Sequence, residues 1–339
     1  MEEKITVRTL ETEKKFSLKS FFLQWEWMLV LILVAINIMN ISASDNYWNF
    51  GNLMEAMKMF LDKAIMVFPM MLVILLGEID VSVAATMALS GVIMGVTYHA
   101  GMPFGISLLL GLLTGTMCGF INGYLLVKFK ELSSVIVTIA TSIVFRGVAS
   151  IILKDGATGN FPSWFQFFGW GYVGPFPFIL VFFAIEAAIF AYIVHKTKFG
   201  RKVYAMGNNP VTSLFSGIKV DKLRLIIFTL NGLFAAVASI FLVSKMGSAR
   251  PSIALGYELD VIAMVVLGGV SSAGGSGRVL GTILSIFIVG MLRYGLGIIN
   301  VPSQTIMVVV GALLVISVAI PNIKPVILDS KPFKILSKK

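Results

Sequence analysis

Polar side chains that interrupt apolar segments are the residues of this chain that could do chemistry. A charge or an amide placed in lipid is costly, so each one needs a protein partner, water or a polar solute beside it. We therefore predict that these groups line or gate a path for a polar solute. The candidates are Glu78, Asp80, Ser82, Asn122, Arg146, Asn231, Glu258 and Asp260.

Several of these candidates also have a structural explanation. Arg146 could pair with a carboxylate and hold helices together, and Glu78 and Asp80 could be solvated in a turn. Asn122 and Asn231 each precede a glycine and could form hydrogen bonds between helices. A further carboxylate, Glu186, stands alone in an apolar segment, where it could be a relay group or a buried structural partner.

The chain offers no recognisable catalytic or metal-binding arrangement. It has a single cysteine, Cys118, and two histidines, His99 and His195, which is too few for a cysteine–histidine metal site. The glycine-rich segment 266–278 lacks the Gly-Lys-Ser/Thr ending of a phosphate loop, and it predicts a turn between two apolar segments. We expect no enzyme activity, no metal and no cofactor, so ATP-driven transport would need a separate ATPase polypeptide.

The most polar internal stretch is residues 196–224, which carry seven of the 27 lysines and arginines. Within it, Asn209 suits a helix N-cap, Pro210 the first helical position and Gly217 a C-terminal cap. This pattern predicts a short helix in a loop, as expected of a surface that docks a separate protein. The predicted docking residues are Tyr204, Gly207, Asn208, Asn209, Pro210, Ser216 and Gly217.

The composition indicates an all-α polytopic membrane protein. Of 339 residues, 57% are hydrophobic and only 13% are charged, with a mean hydropathy of +0.92, whereas a soluble domain is nearer half apolar and a quarter charged. The net charge of +10 comes from residues between and beyond the apolar segments, so it does not predict nucleic-acid binding. Because a span needs about 20 apolar residues, we predict ten transmembrane helices. They lie at about 25–42, 60–77, 81–98, 104–127, 133–153, 176–195, 225–243, 255–270, 279–296 and 303–320.

The distribution of basic residues predicts that both termini lie in the cytoplasm. In that orientation 20 lysines and arginines are cytoplasmic and six are outside, in agreement with the positive-inside rule. The chain then divides into a cytoplasmic amphipathic segment at 1–24, a transmembrane domain at 25–320 and a basic cytoplasmic tail at 321–339. The aromatic extracytoplasmic loop at 154–177 is either an interfacial belt or a docking surface for a protein that delivers substrate.

An internal repeat is visible in the acidic motifs. Glu78-Ile79-Asp80-Val81 recurs as Glu258-Leu259-Asp260-Val261, and each copy opens the third span of a five-span half. An odd number of spans inverts the second half, so we predict a five-plus-five inverted repeat with the solute path between the halves. A glycine at every fourth position from Gly111 to Gly123 predicts close helix packing within one chain or a seam between two copies.

Three segments, taken in order, resemble one protein family: Gly77–Val83, Phe199–Ile218 and Val266–Thr282. They are similar to segments of the permease subunits of bacterial ATP-binding-cassette importers for monosaccharides, of the ribose, xylose, galactose and autoinducer-2 type. In the first segment the family has a final glycine where this chain has Ala84. The second resembles the family's cytoplasmic coupling loop, with residues 211–213 reading Val-Thr-Ser where the family usually carries Glu-Ala-Ala. The third resembles a conserved glycine segment.

The resemblance implies a mechanism and a set of partners. Two copies, or this chain and a paralogue, would form the path through the lipid of the bacterial cytoplasmic (inner) membrane. Cytoplasmic ATPase subunits would bind the coupling loops, and an extracytoplasmic solute-binding protein would deliver the sugar. Importer permeases for nucleosides or branched-chain amino acids remain alternatives. A different class, an ion-coupled secondary transporter using Glu186 or Asp80, would also show the repeat, but it has no need of a docking helix.

Overall fold

The computed structural model describes residues 25–312 and 315, which form a helical bundle with one short β-hairpin. The predicted amphipathic segment 1–24, most of the second half of the tenth predicted span and the predicted tail 321–339 lie outside the described residues. The elements are α1 (Trp25–Ala43), α2 (Phe50–Ala64), α3 (Val67–Leu75), α4 (Val83–His99), α5 (Phe104–Lys128), α6 (Ser134–Leu153), a 3-10 turn (Ser163–Phe165), α7 (Gln166–Trp170), β1 (Tyr172–Val173), β2 (Phe176–Pro177), α8 (Phe178–Lys196), α9 (Lys198–Asn208), α10 (Pro210–Phe215), α11 (Val220–Met246), α12 (Tyr257–Leu267), α13 (Val279–Ile298) and α14 (Ser303–Ala312). The antiparallel hairpin pairs Tyr172 with Pro177 and Val173 with Phe176.

Six helices in the described part of the chain are long and apolar enough to cross a membrane alone: α1, α5, α6, α8, α11 and α13. At a rise of about 1.5 Å per residue, 19 to 27 residues extend about 28 to 40 Å, which matches a hydrocarbon core of about 30 Å. Of the other four predicted spans, three correspond to shorter elements, namely the α2–α3 pair, α4 and α12, and α14 covers the described part of the fourth. The chain is therefore a multi-pass membrane protein, and only some of its apolar segments are full-length helices.

The predicted span at 60–77 is interrupted. Helix α2 begins at Phe50, where the Asn49 side chain accepts a hydrogen bond from the Gly51 N–H, and it ends at Ala64. The break consists of residues 65–66. Helix α3 begins directly after it, at Val67, and all nine of its residues are buried. Because a break in a helix at membrane depth must be covered by protein or water, this break is a place where polar groups can enter the interior.

The two ends of the bundle differ in their connecting segments. We call the end with α9, α10 and the glycine-rich loop 268–278 the lower end, and the end with α7, the hairpin and residues 248–256 the upper end. Helix α12 runs from the upper to the lower end because it joins residues 248–256 to the glycine-rich loop. At the lower end the Trp25 indole N–H of α1 donates to the Leu267 carbonyl at 2.9 Å.

Glycines bring the backbones of α5 and α11 into contact. A Cβ atom at Gly119 would lie 2.9 Å from the Gly232 Cα and would overlap the Phe228 carbonyl oxygen. A Cβ atom at Gly232 would in turn overlap the Gly115 carbonyl oxygen. The predicted glycine stripe therefore packs within the chain, because α11 already occupies the face that a second copy would need.

Candidate functional site

Four of the predicted residues meet in a buried polar cluster, which consists of Asp80, Ser82, Asn122 and Asn231. One Asp80 carboxylate oxygen accepts from the Ser82 N–H at 2.8 Å and from the Ser82 hydroxyl at 2.7 Å. The other accepts from the Asn231 amide at 2.9 Å, and the Asn122 amide donates to the Ser82 oxygen at 2.7 Å. None of the four residues is more than 1% exposed. The cluster joins the segment before α4 to α5 and α11.

The polar cluster has unused acceptor capacity. The Oδ1 atoms of Asn122 and Asn231 have no hydrogen-bond partner among the described residues. A buried oxygen without a donor costs about 1–3 kcal/mol, so each is ready to accept from a hydroxyl group or water. The hydrogen bonds found for Asp80 within the described residues come from neutral donors. The cluster can therefore receive hydroxyl hydrogens, but its bonded groups include no cation that would hold an anion.

The segment that carries Asp80 is non-helical and is held by α6. Gly77 has φ of +78°, a conformation that favours glycine. The Ile79 and Val81 N–H groups donate to the Ser134 and Thr138 hydroxyl oxygens of α6, at 3.2 and 3.1 Å. Side chains of a neighbouring helix thus satisfy the backbone groups that the missing helix would have paired. This arrangement fixes Asp80 between α3 and α4.

Glu78 lies at the lower end in an ion pair, outside the hydrogen bonds of the polar cluster. Its Oε1 is 2.6 Å from the Arg224 Nε at the start of α11. The Arg224 Nη1 also donates to the Leu126 carbonyl of α5 at 3.3 Å. Arg224 therefore ties α11 to α5 and to the segment that carries Asp80, at the lower edge of the bundle.

The second copy of the acidic motif lies at the upper end. Asp260 accepts from the Lys63 ammonium at 2.6 Å and from the Arg293 guanidinium at 2.5 Å. The Glu258 Oε2 has no partner among the described residues. Gly77 contacts the glycine-rich loop after α12, whereas Glu258 and Asp260 lie in the first turn of α12. The structure therefore separates the two copies to opposite ends of the bundle, as an inverted repeat requires.

A buried ion pair at the upper end was not predicted from the sequence. The Asp62 carboxylate, which is fully buried, is 2.6 Å from the Lys245 Nζ. Asp62 and Lys63 lie just before the break between α2 and α3, and with Lys58 the helix before the break carries three buried charges. The signal in the sequence was the adjacent pair Asp62-Lys63 inside an apolar stretch. Lys245 and Arg293 each form a partly buried ion pair at this end of the bundle.

Two further polar residues stand apart from these groups. Arg146 donates to the backbone carbonyls of Pro251 and Ile253, at 2.5 and 3.2 Å. These hydrogen bonds hold residues 251–253 at the upper end to α6. One prediction was that Arg146 pairs with a carboxylate, but the hydrogen-bond acceptors are backbone carbonyls. Glu186 on α8 is 4% exposed, and neither of its carboxylate oxygens has a partner among the described residues.

The predicted helix caps within residues 196–224 are confirmed; we call this segment the docking loop after its predicted role. Asn209 is the N-cap of α10, and its side chain accepts from the Thr212 N–H at 2.9 Å. Pro210 is at the first helical position, and Gly217 follows the helix with φ of +80°. These interactions stabilise a helix of six residues that would be too short to persist alone.

Two of the predicted docking residues, Tyr204 and Asn208, attach this loop to the glycine-rich loop, whereas the Ser216 hydroxyl donates to the Thr212 carbonyl at the end of α10. The Tyr204 hydroxyl donates to the Gly277 carbonyl at 2.7 Å, and the Asn208 amide donates to the Gly275 carbonyl at 3.3 Å. Burial raises the pKa of the Tyr204 phenol, although Arg278 opposes the shift, so the hydroxyl remains a donor near neutral pH.

A glycine junction, formed by Leu75, Gly77, Gly207, Gly274 and Gly275, lies beneath this contact. The Gly275 N–H donates to the Leu75 carbonyl at 2.9 Å. A Cβ atom at Gly207 would overlap that carbonyl oxygen and lie 2.5 Å from the Gly275 nitrogen. A Cβ atom at Gly274 would lie 2.7 Å from the Gly77 nitrogen. Three backbone segments thus meet without intervening side chains. One of them contains Gly77, which precedes Asp80 by three residues.

Helix α10 presents an apolar face to solvent. Val211, Leu214 and Phe215 are 64%, 61% and 86% exposed. They have the i, i+3, i+4 spacing that places side chains on one face of a helix. The predicted docking residues hold this helix in place, and these three side chains, which were not predicted, form its outward surface. Their helical spacing was the signal in the sequence.

Comparison with known proteins identifies the family. The ribose import permease protein RbsC of Bacillus subtilis (strain 168) is 36% identical over 299 residues, covering 87% of this chain and 91% of the relative. The autoinducer 2 import system permease protein LsrD of Escherichia coli O157:H7 is 34% identical over 301 residues, with the same coverage. No solved structure matches the chain. A family described as the branched-chain amino acid transport system / permease component matches residues 52–318, and the chain belongs to that family of transport permeases.

Proposed function

We propose that this chain is the transmembrane permease subunit of an ATP-binding-cassette importer for a monosaccharide or a similar small polyhydroxyl solute. It would act in the bacterial inner membrane with ATPase subunits, a second permease copy or paralogue and an extracytoplasmic binding protein. Family membership and the import permeases among its relatives support the transport role. The single observation that carries the ATPase-driven mechanism is the exposed apolar face of α10.

The apolar face of α10 fits a protein groove better than it fits water. Exposed side chains such as Phe215 at 86% leave a large apolar area hydrated, and burial in a groove stabilises a complex by about 25 cal/mol per Å² of apolar area. Three anchors on one face of a helix are a common mode of helix-in-groove recognition. The excess of basic residues on this side of the predicted topology supports a cytoplasmic position for α10, where an ATPase subunit could bind it.

The polar cluster supports a neutral polyhydroxyl solute. Its free amide oxygens accept from hydroxyl groups, and its carboxylate can accept from hydroxyl groups after its bond to Asn231 opens. An amino acid would bring a carboxylate, and the hydrogen-bonding partners in the cluster include no cation to receive it. The relatives named for ribose and autoinducer 2 agree with this preference. The cluster is closed to solvent here, so the solute would reach it only after the helices move.

The ion pairs at the two ends suggest how access alternates. Glu78 and Arg224 hold the lower end, while Asp260 with Lys63 and Arg293 holds the upper end. In a ten-helix, five-plus-five inverted repeat with cytoplasmic termini, these positions would open in turn as the halves tilt. The glycine junction links α9 directly to the segment of Glu78 and Asp80. Movement of the docking loop would therefore be transmitted through backbone contacts to the ion pair of Glu78. The aromatic loop 154–177 at the upper end would receive the binding protein.

The decisive experiment changes the face of α10 and leaves its caps intact. The tagged permease would be co-expressed with its ATPase subunit, purified in mild detergent and assayed for ATPase stoichiometry and ATP hydrolysis. Phe215→Ser should reduce the retained ATPase at least tenfold, because it removes the most exposed anchor of α10. Phe129→Ser is a matched control, since Phe129 is also exposed at the lower end but lies outside α10. Equal ATPase retention by both variants and the wild type would refute the docking surface. Transport that survives ATP depletion with an intact proton gradient would favour a secondary transporter instead.

A further inference from the structure

A cavity of about 420 Å³ opens at the upper end between α2 and α13. Its volume is in the range of small-molecule pockets, about 300–1,000 Å³. One part of its wall is apolar, formed by Met59, Phe60 and Ile298, and another part carries the cations Lys63 and Arg293. The cavity is separate from the polar cluster around Asp80, although its cations Lys63 and Arg293 also form the upper ion pairs of the proposed access mechanism.

The charges at this cavity do not balance. Lys63 and Arg293 both pair with Asp260, so two cations share one carboxylate. The neighbouring Asp62 is matched by Lys245 and does not supply the missing negative charge. Lys63 is the more deeply buried cation and also lies over the Tyr257 ring at 4.6 Å. The group of Lys63, Arg293 and Asp260 therefore has a net charge of about +1, because two cations are paired with one carboxylate.

Arg293 is the side chain that can use this excess charge. Its side chain is 28% exposed, compared with 6% for Lys63. Its Nη2 donates to Asp260, while its buried Nε has no partner among the described residues. A partly exposed guanidinium that lines a cavity is suited to a phosphate, which accepts two parallel hydrogen bonds from such a group.

The depth of the site determines what kind of anion can reach it. Arg293 lies five residues before the end of the apolar helix α13, about 8 Å below its upper end. At this depth arginine side chains reach from the hydrocarbon to the headgroups of the lipid. Met59, which lines the cavity, is 53% exposed, and Ile299, just beyond α13, is 42% exposed. A ligand that touches these residues and Arg293 needs both an anionic and an apolar part.

We propose that this cavity binds an anionic phospholipid, with the headgroup phosphate on Arg293 and an acyl chain along Met59 and Ile298. The phosphate balances the excess positive charge at Arg293, the more exposed of the two cations. A zwitterionic lipid would bring its own cation to a site that already has one in excess. A free sugar would leave the charge uncompensated, and a free phosphate would leave the apolar wall in contact with water.

The test measures lipid retained by the purified full-length permease. The protein would be reconstituted in nanodiscs of phosphatidylethanolamine with one fifth phosphatidylglycerol, re-extracted in mild detergent and analysed for bound lipid by mass spectrometry. Arg293→Gln should reduce retained phosphatidylglycerol about fivefold, the effect expected for one basic residue near a membrane surface. Arg293→Lys, which keeps the charge, should fall between this variant and the wild type. Arg250→Gln removes an exposed upper-end charge outside this cavity and should leave phosphatidylglycerol retention unchanged.

Further arms separate the possible ligands and guard against misfolding. Gly297 lines the cavity and has open space where its Cβ would be, so Gly297→Trp should fill the site and displace the lipid while both cations remain. Soluble glycerol phosphate should not compete with the lipid; competition would identify a free phosphate site and overturn the lipid proposal. Displacement of the lipid by sugar would assign the cavity to the substrate and would also overturn it. Equal phosphatidylglycerol in the wild type, Arg293→Gln and Gly297→Trp would refute it. Retention of the ATPase subunit is read separately, so failure of the lipid site and failure of the proposed function are distinguishable.

Discussion

Replacing Gly207 by alanine should disconnect ATP hydrolysis from transport. The added Cβ would overlap the Leu75 carbonyl oxygen and lie 2.5 Å from the Gly275 nitrogen, whereas ordinary contact begins at 3.4 Å. The backbones must therefore separate by at least about 0.9 Å. That shift weakens the 2.9 Å hydrogen bond from Gly275 to Leu75, which lies inside the glycine junction.

The size of the effect follows from these contacts. Overpacking of a close contact costs about 1–3 kcal/mol, and a lost hydrogen bond adds about 1 kcal/mol. If about 2 kcal/mol of this cost destabilises the junction itself, the population with an intact junction decreases about 30-fold. Helix α10 lies beyond the altered contact, so the apolar face that we propose as the ATPase-binding surface is unchanged.

The assay is sugar uptake per ATP hydrolysed in proteoliposomes that contain the complete importer. Gly207→Ala should retain the ATPase subunit and hydrolyse ATP, while uptake decreases at least tenfold. Gly105→Ala is the matched control, because no atom lies within 4 Å of its added Cβ. Uptake within twofold of the wild type would refute the role of the glycine junction, and loss of the ATPase from the complex would show that the change acts on docking instead.

Three other substitutions test the remaining contacts. Asn209→Ala removes the N-cap of α10, which should cost about 1 kcal/mol and weaken ATPase binding about fivefold in a titration; unchanged affinity would show that the cap does not position the helix. Asp80→Asn replaces one hydrogen-bond acceptor by a donor opposite the Asn231 amide, so uptake should be lost while the ATPase stays bound, and normal uptake would exclude Asp80 from the path. Gly119→Ala places a methyl group against the Phe228 carbonyl of α11; the melting temperature of the purified permease should fall, and an unchanged value would contradict the close packing of α5 and α11.

The docking loop shows which structural features can be predicted from neighbouring residues alone. Asn209, Pro210 and Gly217 are predictable because capping depends on neighbouring backbone groups, and the structure has all three in the expected positions. The spacing of Val211, Leu214 and Phe215 is equally local, although their exposure depends on whether another part of the chain covers them. Burial of that kind is decided by tertiary packing.

The acidic motifs show which contacts cannot be predicted from neighbouring residues. The sequence identified Asp80, Ser82, Asn122 and Asn231 as costly in lipid, and the tertiary structure brought them together through three separate elements. It placed Asp260 with Lys63 and Arg293 at the other end. Which polar groups meet depends on contacts between residues that lie 33 to 197 positions apart, and no local pattern records them.

The sequence by itself determined that this is a multi-pass helical membrane protein with a capped loop helix and a repeated acidic motif. Apolar length, basic-residue bias and capping are properties of neighbouring residues and of their transfer between water and lipid. Only the tertiary structure decided that the segment at 60–77 breaks after Ala64, that Asp62 pairs with Lys245, and that Gly207 meets Gly275. The physical reason is that a buried charge or an interrupted backbone is stable only when a distant part of the chain supplies its partner.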